Sequence, residues 1–257
     1  MKRKVQQIAK NLSDLIYPWR GVEAVLLGEA ADIEVFDPYF TIDLDVYVRE
    51  APPIEEERRR TFKEAGAFEP SRVALADRFL MADLPVTVHY IGTSDIGRIL
   101  QRVSERTWVF HEPGTNVFYR LVEGSVLKSR GDWISTVRGQ CAAIPEEFWN
   151  QVGMRAFVAA ERALADLGAA VWREDPLFTM AASARLARSI VGFLFAANRR
   201  FEPSGRMLYD RVKALPALPE DGFLGRFETF LRQDGGLAPQ GRREVAELLV
   251  KSLLSMI

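Results

Sequence analysis

The run Thr41-Ile-Asp-Leu-Asp-Val-Tyr-Val48 constrains this chain more than any other segment. Ile42, Leu44, Val46 and Val48 fall on one face, and Asp43, Asp45 and Tyr47 on the other. Period-two alternation of this kind predicts a half-buried β-strand. It sets two carboxylates side by side on an open face, with Cα atoms about 6.5–7 Å apart. Carboxylates so placed repel each other unless a cation sits between them. Neighbouring segments supply partners for such a strand. Val22-Glu-Ala-Val-Leu-Leu27 is a short apolar run stopped by Gly28, which predicts a buried strand. Pro85-Val-Thr-Val-His-Tyr-Ile91 predicts another, with Val86, Val88 and Tyr90 opposite Thr87 and His89. Val73 to Leu80 reads as a strand or a short helix.

Helices frame these strands. Residues 1–17 carry Val5, Ile8, Ala9, Leu12, Leu15 and Ile16 at helical spacing, and Pro18 ends the pattern. Ile54 to Ala65 reads as a helix whose acids, Glu55 to Glu57, precede its bases, Arg58 to Arg60. That order suits the helix dipole and i,i+4 pairing, and it reads as a solvated face. Thr93-Ser-Asp95 caps a helix from about Ile96. After about residue 140 the strand patterns stop. Glu146 to Leu167, Asp175-Pro176 to Ala197, and Arg242 to Ile257 all read as helices. The expected fold class is an α/β (α+β) domain over residues 1–140, then an all-helical domain over residues 141–257.

Composition narrows the chemistry. The 257 residues hold 34 Lys+Arg against 35 Asp+Glu, a net charge of -1. No overall basic field exists to hold a polyanion, which argues against a general nucleic-acid binder and leaves room only for a local basic groove. A single cysteine, Cys141, excludes an internal disulfide and a cysteine-based zinc site. Two histidines, His89 and His111, give little material for a His-rich metal site. Carboxylates are left to carry any chemistry. The first residues lack the apolar stretch of a signal peptide. The most apolar stretch, residues 189–198, is about half the length that spans a bilayer. A cytoplasmic protein with no membrane partner is the expectation.

An apolar strand ending at Gly28, followed by Asp43-Leu-Asp45 on the next strand, resembles the nucleotidyltransferase superfamily. The match covers about residues 20–50 well and residues 20–92 more loosely. The helical second half also resembles members that append a helical domain, the antibiotic nucleotidyltransferases that adenylylate aminoglycosides among them. The resemblance implies a mixed sheet and a metal ion, Mg2+ above all, held by Asp43 and Asp45. It implies an NTP substrate, ATP first, whose nucleoside monophosphate moves to a hydroxyl of a small acceptor. Gly28 and Glu29 would border the triphosphate, and the helical part would bind the acceptor and close over it. Arg199 and Arg206, in a segment similar to the tails of bacterial members, would contact phosphates.

Two departures stand out. Glu29 occupies the place where the family has Ser or Gly. The candidate third strand offers Thr87 and His89 where a third carboxylate belongs. His89 is the candidate base or neutral ligand there, and Asp83 a second candidate. These departures keep an alternative open: a degenerate member of the same fold that binds a nucleotide or a partner without catalysis.

Overall fold

The computed structural model describes residues 2–28, 39–71, 75–107, 114–206, 208–219, 222–232 and 238–257. The chain forms two compact units. The first comprises Met1–Glu105 and Val117–Ile144, the second Arg106–Asn116 and Pro145–Ile257. The sequence places a division at 140/141; the units divide at 144/145, and residues 106–116 group with the helical unit.

The first unit contains α1 (Lys2–Ile16), β1 (Val22–Leu27), β2 (Ile42–Val48), α2 (Glu55–Thr61), β3 (Gly66–Ser71), β4 (Ala76–Met81), β5 (Leu84–Gly92), α3 (Thr93–Ser104), α4 (Asn116–Glu123), β6 (Ser125–Ser129) and α5 (Trp133–Ala142). The strands form one mixed sheet in the order β3-β4-β5-β2-β1-β6. β2 and β5 run parallel, and every other neighbouring pair is antiparallel. The amphipathic stripe of α1 dictates one layer: Val5, Ile8, Ala9, Leu12 and Ile16 are buried against Val25, Leu27, Leu44, Val46 and Val88. Leu15 drops off that stripe and is exposed. A mixed sheet layered with helices and followed by a helical unit is the architecture expected from the sequence.

The opposite face of the sheet differs from expectation. Alternation in β2 predicts an open face, yet Asp45 and Tyr47 are buried. The cover is α4 and α5, short helices of eight and ten residues. Trp133 of α5 lies on Tyr47, with ring centroids 5.2 Å apart. Gly124 lets the end of α4 approach β1: a Cβ there would stand 2.5 Å from the Arg120 carbonyl oxygen and 3.2 Å from Leu26 Cδ2. The guanidinium of Arg138 donates to the carbonyls of Leu121 (2.9 Å) and Gly124 (2.6 Å), closing the C-terminal end of α4.

Two further elements depart from the sequence reading. The helix expected to reach Ala65 ends at Thr61, and Gly66–Ser71 then pairs with β4 as a hairpin. The charge run of α2 is also only partly a solvated face. Arg59 and Arg60 pair with Glu55 and Glu56 on the surface. Arg58 instead turns inward and grips the fully buried Asp77 through Nε (2.7 Å) and Nη2 (3.2 Å). The Tyr90 hydroxyl donates to the same carboxylate at 2.8 Å.

The second unit contains α6 (Glu146–Trp172), α7 (Pro176–Ala197), α8 (Leu208–Lys213), α9 (Phe223–Leu231), α10 (Pro239–Leu253) and a final 3-10 turn, Leu254–Met256. Asp175 caps α7, its carboxylate accepting from the Phe178 amide at 2.9 Å, with Pro176 at the first helical position. α6 and α7 form an antiparallel pair. A Cβ on Gly153 would meet that of Ala196, and Phe157 lies near Phe193. Leu186, Ile190, Phe223, Phe227 and Leu249 complete this core. By length and composition α7 as a whole could cross a membrane, but half of its apolar window is buried within the unit.

Removing one partner of a buried ion pair leaves an uncompensated charge. Arg58→Met is therefore expected to lower the unfolding free energy in urea by about 3 kcal/mol. A loss below about 1 kcal/mol, the scale of a surface pair, would contradict the geometry described.

Candidate functional site

The candidate site lies on the helix-covered face of the sheet, where β1, β2 and β5 meet. Antiparallel register pairs Leu27 with Leu44, so Gly28 follows opposite Asp43. The Gly28 amide donates to the Asp43 carbonyl at 2.8 Å. A Cβ at Gly28 would stand 3.3 Å from both Asp43 Cβ and its carbonyl oxygen, so a side chain would crowd this approach. The parallel register between β2 and β5 sets Thr87 beside Asp43 and His89 beside Asp45. On β4, Arg78 pairs with Thr87 and Ala76 with His89, which brings Arg78 to the same face.

The two aspartates have different surroundings. Asp43 is half-buried, and its Oδ1 is 4.0 Å from His89 Nε2. Asp45 is fully buried, with 1% of its side chain exposed, and both of its oxygens are taken by Arg120 of α4. Arg120 Nε donates to Asp45 Oδ2 at 2.8 Å and Nη2 donates to Oδ1. This is a bidentate, charge-assisted pair, the strongest hydrogen-bonding arrangement open to a carboxylate. The guanidinium is held in its charged state by Asp45 against the opposing effect of burial. Burial and then the neighbouring Asp45 charge push the Tyr47 phenol well above its ordinary value, so it stays protonated.

His89 is held below its ordinary value. Burial is the main cause, and the Arg120 charge adds to it, partly opposed by Asp45. The imidazole is therefore neutral at pH 7 and can accept a proton or a hydrogen bond. Cys141, behind this face, has its thiol pushed up to about 11 by burial, which makes it an inert packing group.

The other residues singled out in the sequence lie elsewhere. Glu29 and His111 fall outside the described residues. Asp83 occupies the left-handed turn between β4 and β5. It precedes Thr87 by four residues, about 13 Å along the strand. Arg199 and Arg206 belong to the helical unit. Arg199 follows the end of α7 and pairs with Glu146. Its neighbour Asn198 ties that end down, donating to the carbonyls of Leu194 (2.8 Å) and Ala217 (2.9 Å) and accepting from the Ala217 amide.

Arg120 and Arg78 are the charged residues of this face that sequence reasoning missed. Arg120 lies 75 positions from Asp45 in an eight-residue helix, and no local pattern announces it.

The donor set does not fit a catalytic Mg2+ in this arrangement. Mg2+ requires a near-octahedral shell of oxygens. Asp43 offers one carboxylate here, Asp45 is saturated by a guanidinium, and Thr87 and His89 stand where a third carboxylate would be. Among the described residues no group of three or more His, Cys, Asp or Glu is arranged to hold a metal.

DUF4037, a domain of unknown function, matches residues 112–206, the span from just before α4 to beyond α7. A nucleotidyltransferase-like protein from Exiguobacterium sibiricum 255-15 is 12% identical; the alignment covers 95% of this chain and 74% of that chain, with a TM-score of 0.49. An aminoglycoside 6-adenyltransferase from Bacillus subtilis is 10% identical, covering 98% of this chain and 89% of that chain, with a TM-score of 0.35. No curated protein matches by sequence.

The surroundings of His89 have a pH signature. Between its lowered native value and its ordinary 6.5, the unfolded chain binds a proton that the native protein does not. Stability present at pH 7 should therefore fall as pH drops through 6.5 towards the native value. His89→Gln lacks this loss, so below pH 6.5 its unfolding free energy should gain on wild type. Parallel stability curves for the two proteins between pH 5 and 8 would contradict the assignment.

Proposed function

We propose that the first unit is a degenerate nucleotidyltransferase-type site that binds a nucleoside triphosphate and does not transfer it. The observation that carries this reading is the bidentate pair between Arg120 and the fully buried Asp45. A guanidinium supplies the positive charge that the two carboxylates need, at the place where a metal would otherwise supply it. A phosphate chain is itself anionic and needs cations. Arg78 and the exposed part of Arg120 are the donors this face offers it. The close approach of Gly28 to Asp43 leaves that edge of the site free of side-chain bulk. Binding on these terms needs no divalent metal.

A second reading is Mg2+-dependent transfer of a nucleoside monophosphate from an NTP, ATP first, to a hydroxyl of a small acceptor. The half-exposed Asp43 beside Gly28 and the neutral His89 within 4.0 Å of it favour this reading. It requires Arg120 to release Asp45. The helical unit would then select the acceptor.

Thermal unfolding with each NTP, in Mg2+ and in EDTA, separates the two readings when combined with an assay for released pyrophosphate. A ligand at about 100 times its dissociation constant adds roughly 2.7 kcal/mol to the native state. The first reading expects an upward shift in Tm that persists in EDTA, weakens in Arg78→Ala, and comes with no pyrophosphate. A shift that needs Mg2+ and vanishes in Asp43→Ala, with pyrophosphate released, supports transfer instead. No shift with any NTP overturns both.

A further inference from the structure

The helical unit carries a concentration of positive charge that the sheet site does not explain. A concavity of about 1070 Å3 runs between α6 and α7. Among the described residues five arginines line it, Arg106, Arg155, Arg162, Arg185 and Arg188, against a single acid, Asp166. Arg185 pairs with Asp166 at 2.9 Å, and Arg188 pairs with the buried Glu202. Among the described residues Arg106, Arg155 and Arg162 have no ion-pair partner.

Helical spacing explains how the sequence builds this groove. Arg155, Val158, Arg162 and Asp166 follow each other at steps of three and four on α6, so they share one face. Arg155 and Arg162 stand two turns apart, about 10.5 Å along the axis. Arg185 and Arg188, one turn apart on antiparallel α7, face them across the groove. Met154 and Val158, both substantially exposed, give it an apolar floor.

Guanidinium groups gathered in one concavity repel each other, and an anion relieves that repulsion. Among the described residues the groove uses arginine and no lysine, which suits the planar, two-pronged recognition of phosphate. We propose that this groove binds a small molecule carrying two or more adjacent phosphate groups, its non-phosphate body lying on Met154 and Val158. Its volume is that of a small-ligand site. With a net charge of -1 over the whole chain, no wider basic field extends the groove into a track for a long polyanion. The positive charge of the groove itself repels a polycationic ligand. This binding is independent of the nucleotide reading of the sheet.

Isothermal titration at low salt tests it, with inorganic triphosphate, ATP, adenosine and a ten-nucleotide single-stranded RNA as probes. Wild type is compared with the double variants R155A/R162A and R155K/R162K, and with Arg78→Ala on the sheet. The substituted groove residues are exposed, and an unchanged circular dichroism spectrum confirms folding. Arg78→Ala removes what the sheet contributes, and inorganic triphosphate and ATP are expected still to bind this variant through the groove. Adding R155A/R162A to Arg78→Ala should weaken that remaining binding at least about tenfold, with R155K/R162K between, and adenosine should not bind. Tighter binding of ATP than of triphosphate makes the natural ligand a nucleotide; equal binding makes it a phosphate chain without a base. Both results support the proposal. Binding that survives in R155A/R162A but is lost in Arg78→Ala overturns it while leaving the sheet reading intact. No binding of either phosphate probe overturns it, as does RNA binding tighter than ATP, which would make the groove a nucleic-acid site.

Discussion

The grip of Arg120 on Asp45 is the interaction on which the candidate nucleotide site depends. A carboxylate removed from water is costly to keep charged unless its oxygens are matched by donors. Asp45 meets that condition through a guanidinium that reaches both oxygens. The pair also anchors α4 over β2, beside the packing of Trp133 on Tyr47. It sets a fixed positive charge next to His89, which helps hold that imidazole neutral. A guanidinium and a divalent metal compete for the same oxygens, so the choice between them decides what the face can do. The strand geometry sets two aspartates on one face, and the charge that neutralises Asp45 comes from the protein itself.

Long periodic segments made much of this legible from sequence. α1, β1, β2, β5, α6 and α7 each show enough repeats of a two- or 3.6-residue period to be read directly. The shorter elements lack that support. β3 contains Gly66 and Pro70, residues poor in strands, and its pairing with β4 comes from the hairpin rather than from alternation. In α5, Ser135, Thr136 and Gly139 interrupt any apolar stripe. α5 covers β2 together with α4, and for that reason a strand that reads as half-buried is buried on both faces from Leu44 onwards. Proximity of Gly28 to the aspartates was implied by strand order, and the shared face of Asp43 and Asp45 by period. Arg120 was invisible, because its position beside Asp45 is purely a tertiary contact.

Net charge also concealed more than it revealed. A balance of 34 bases and 35 acids describes a nearly neutral chain. The structure separates those charges locally. Surface pairs such as Arg59 with Glu55 and Arg243 with Glu247 cancel within one helix turn. The face of α6 that carries Arg155 and Arg162 does not cancel, since the one acid among the described residues lining that groove is already engaged by Arg185. Summed composition therefore speaks to long-range fields, whereas recognition of a small anion is decided over a few helix turns.

Metal binding to the aspartate pair tests the central claim most directly. Mn2+ is a suitable stand-in for Mg2+, and electron paramagnetic resonance distinguishes free from bound ion without reference to any reaction. The pairing of Arg120 with Asp45 predicts that wild type leaves Mn2+ free in the absence of nucleotide. It predicts that Arg120→Met, with Asp45 stripped of its partner, binds Mn2+ and is stabilised by it. Mn2+ bound tightly by wild type and released by Asp45→Asn would contradict the account.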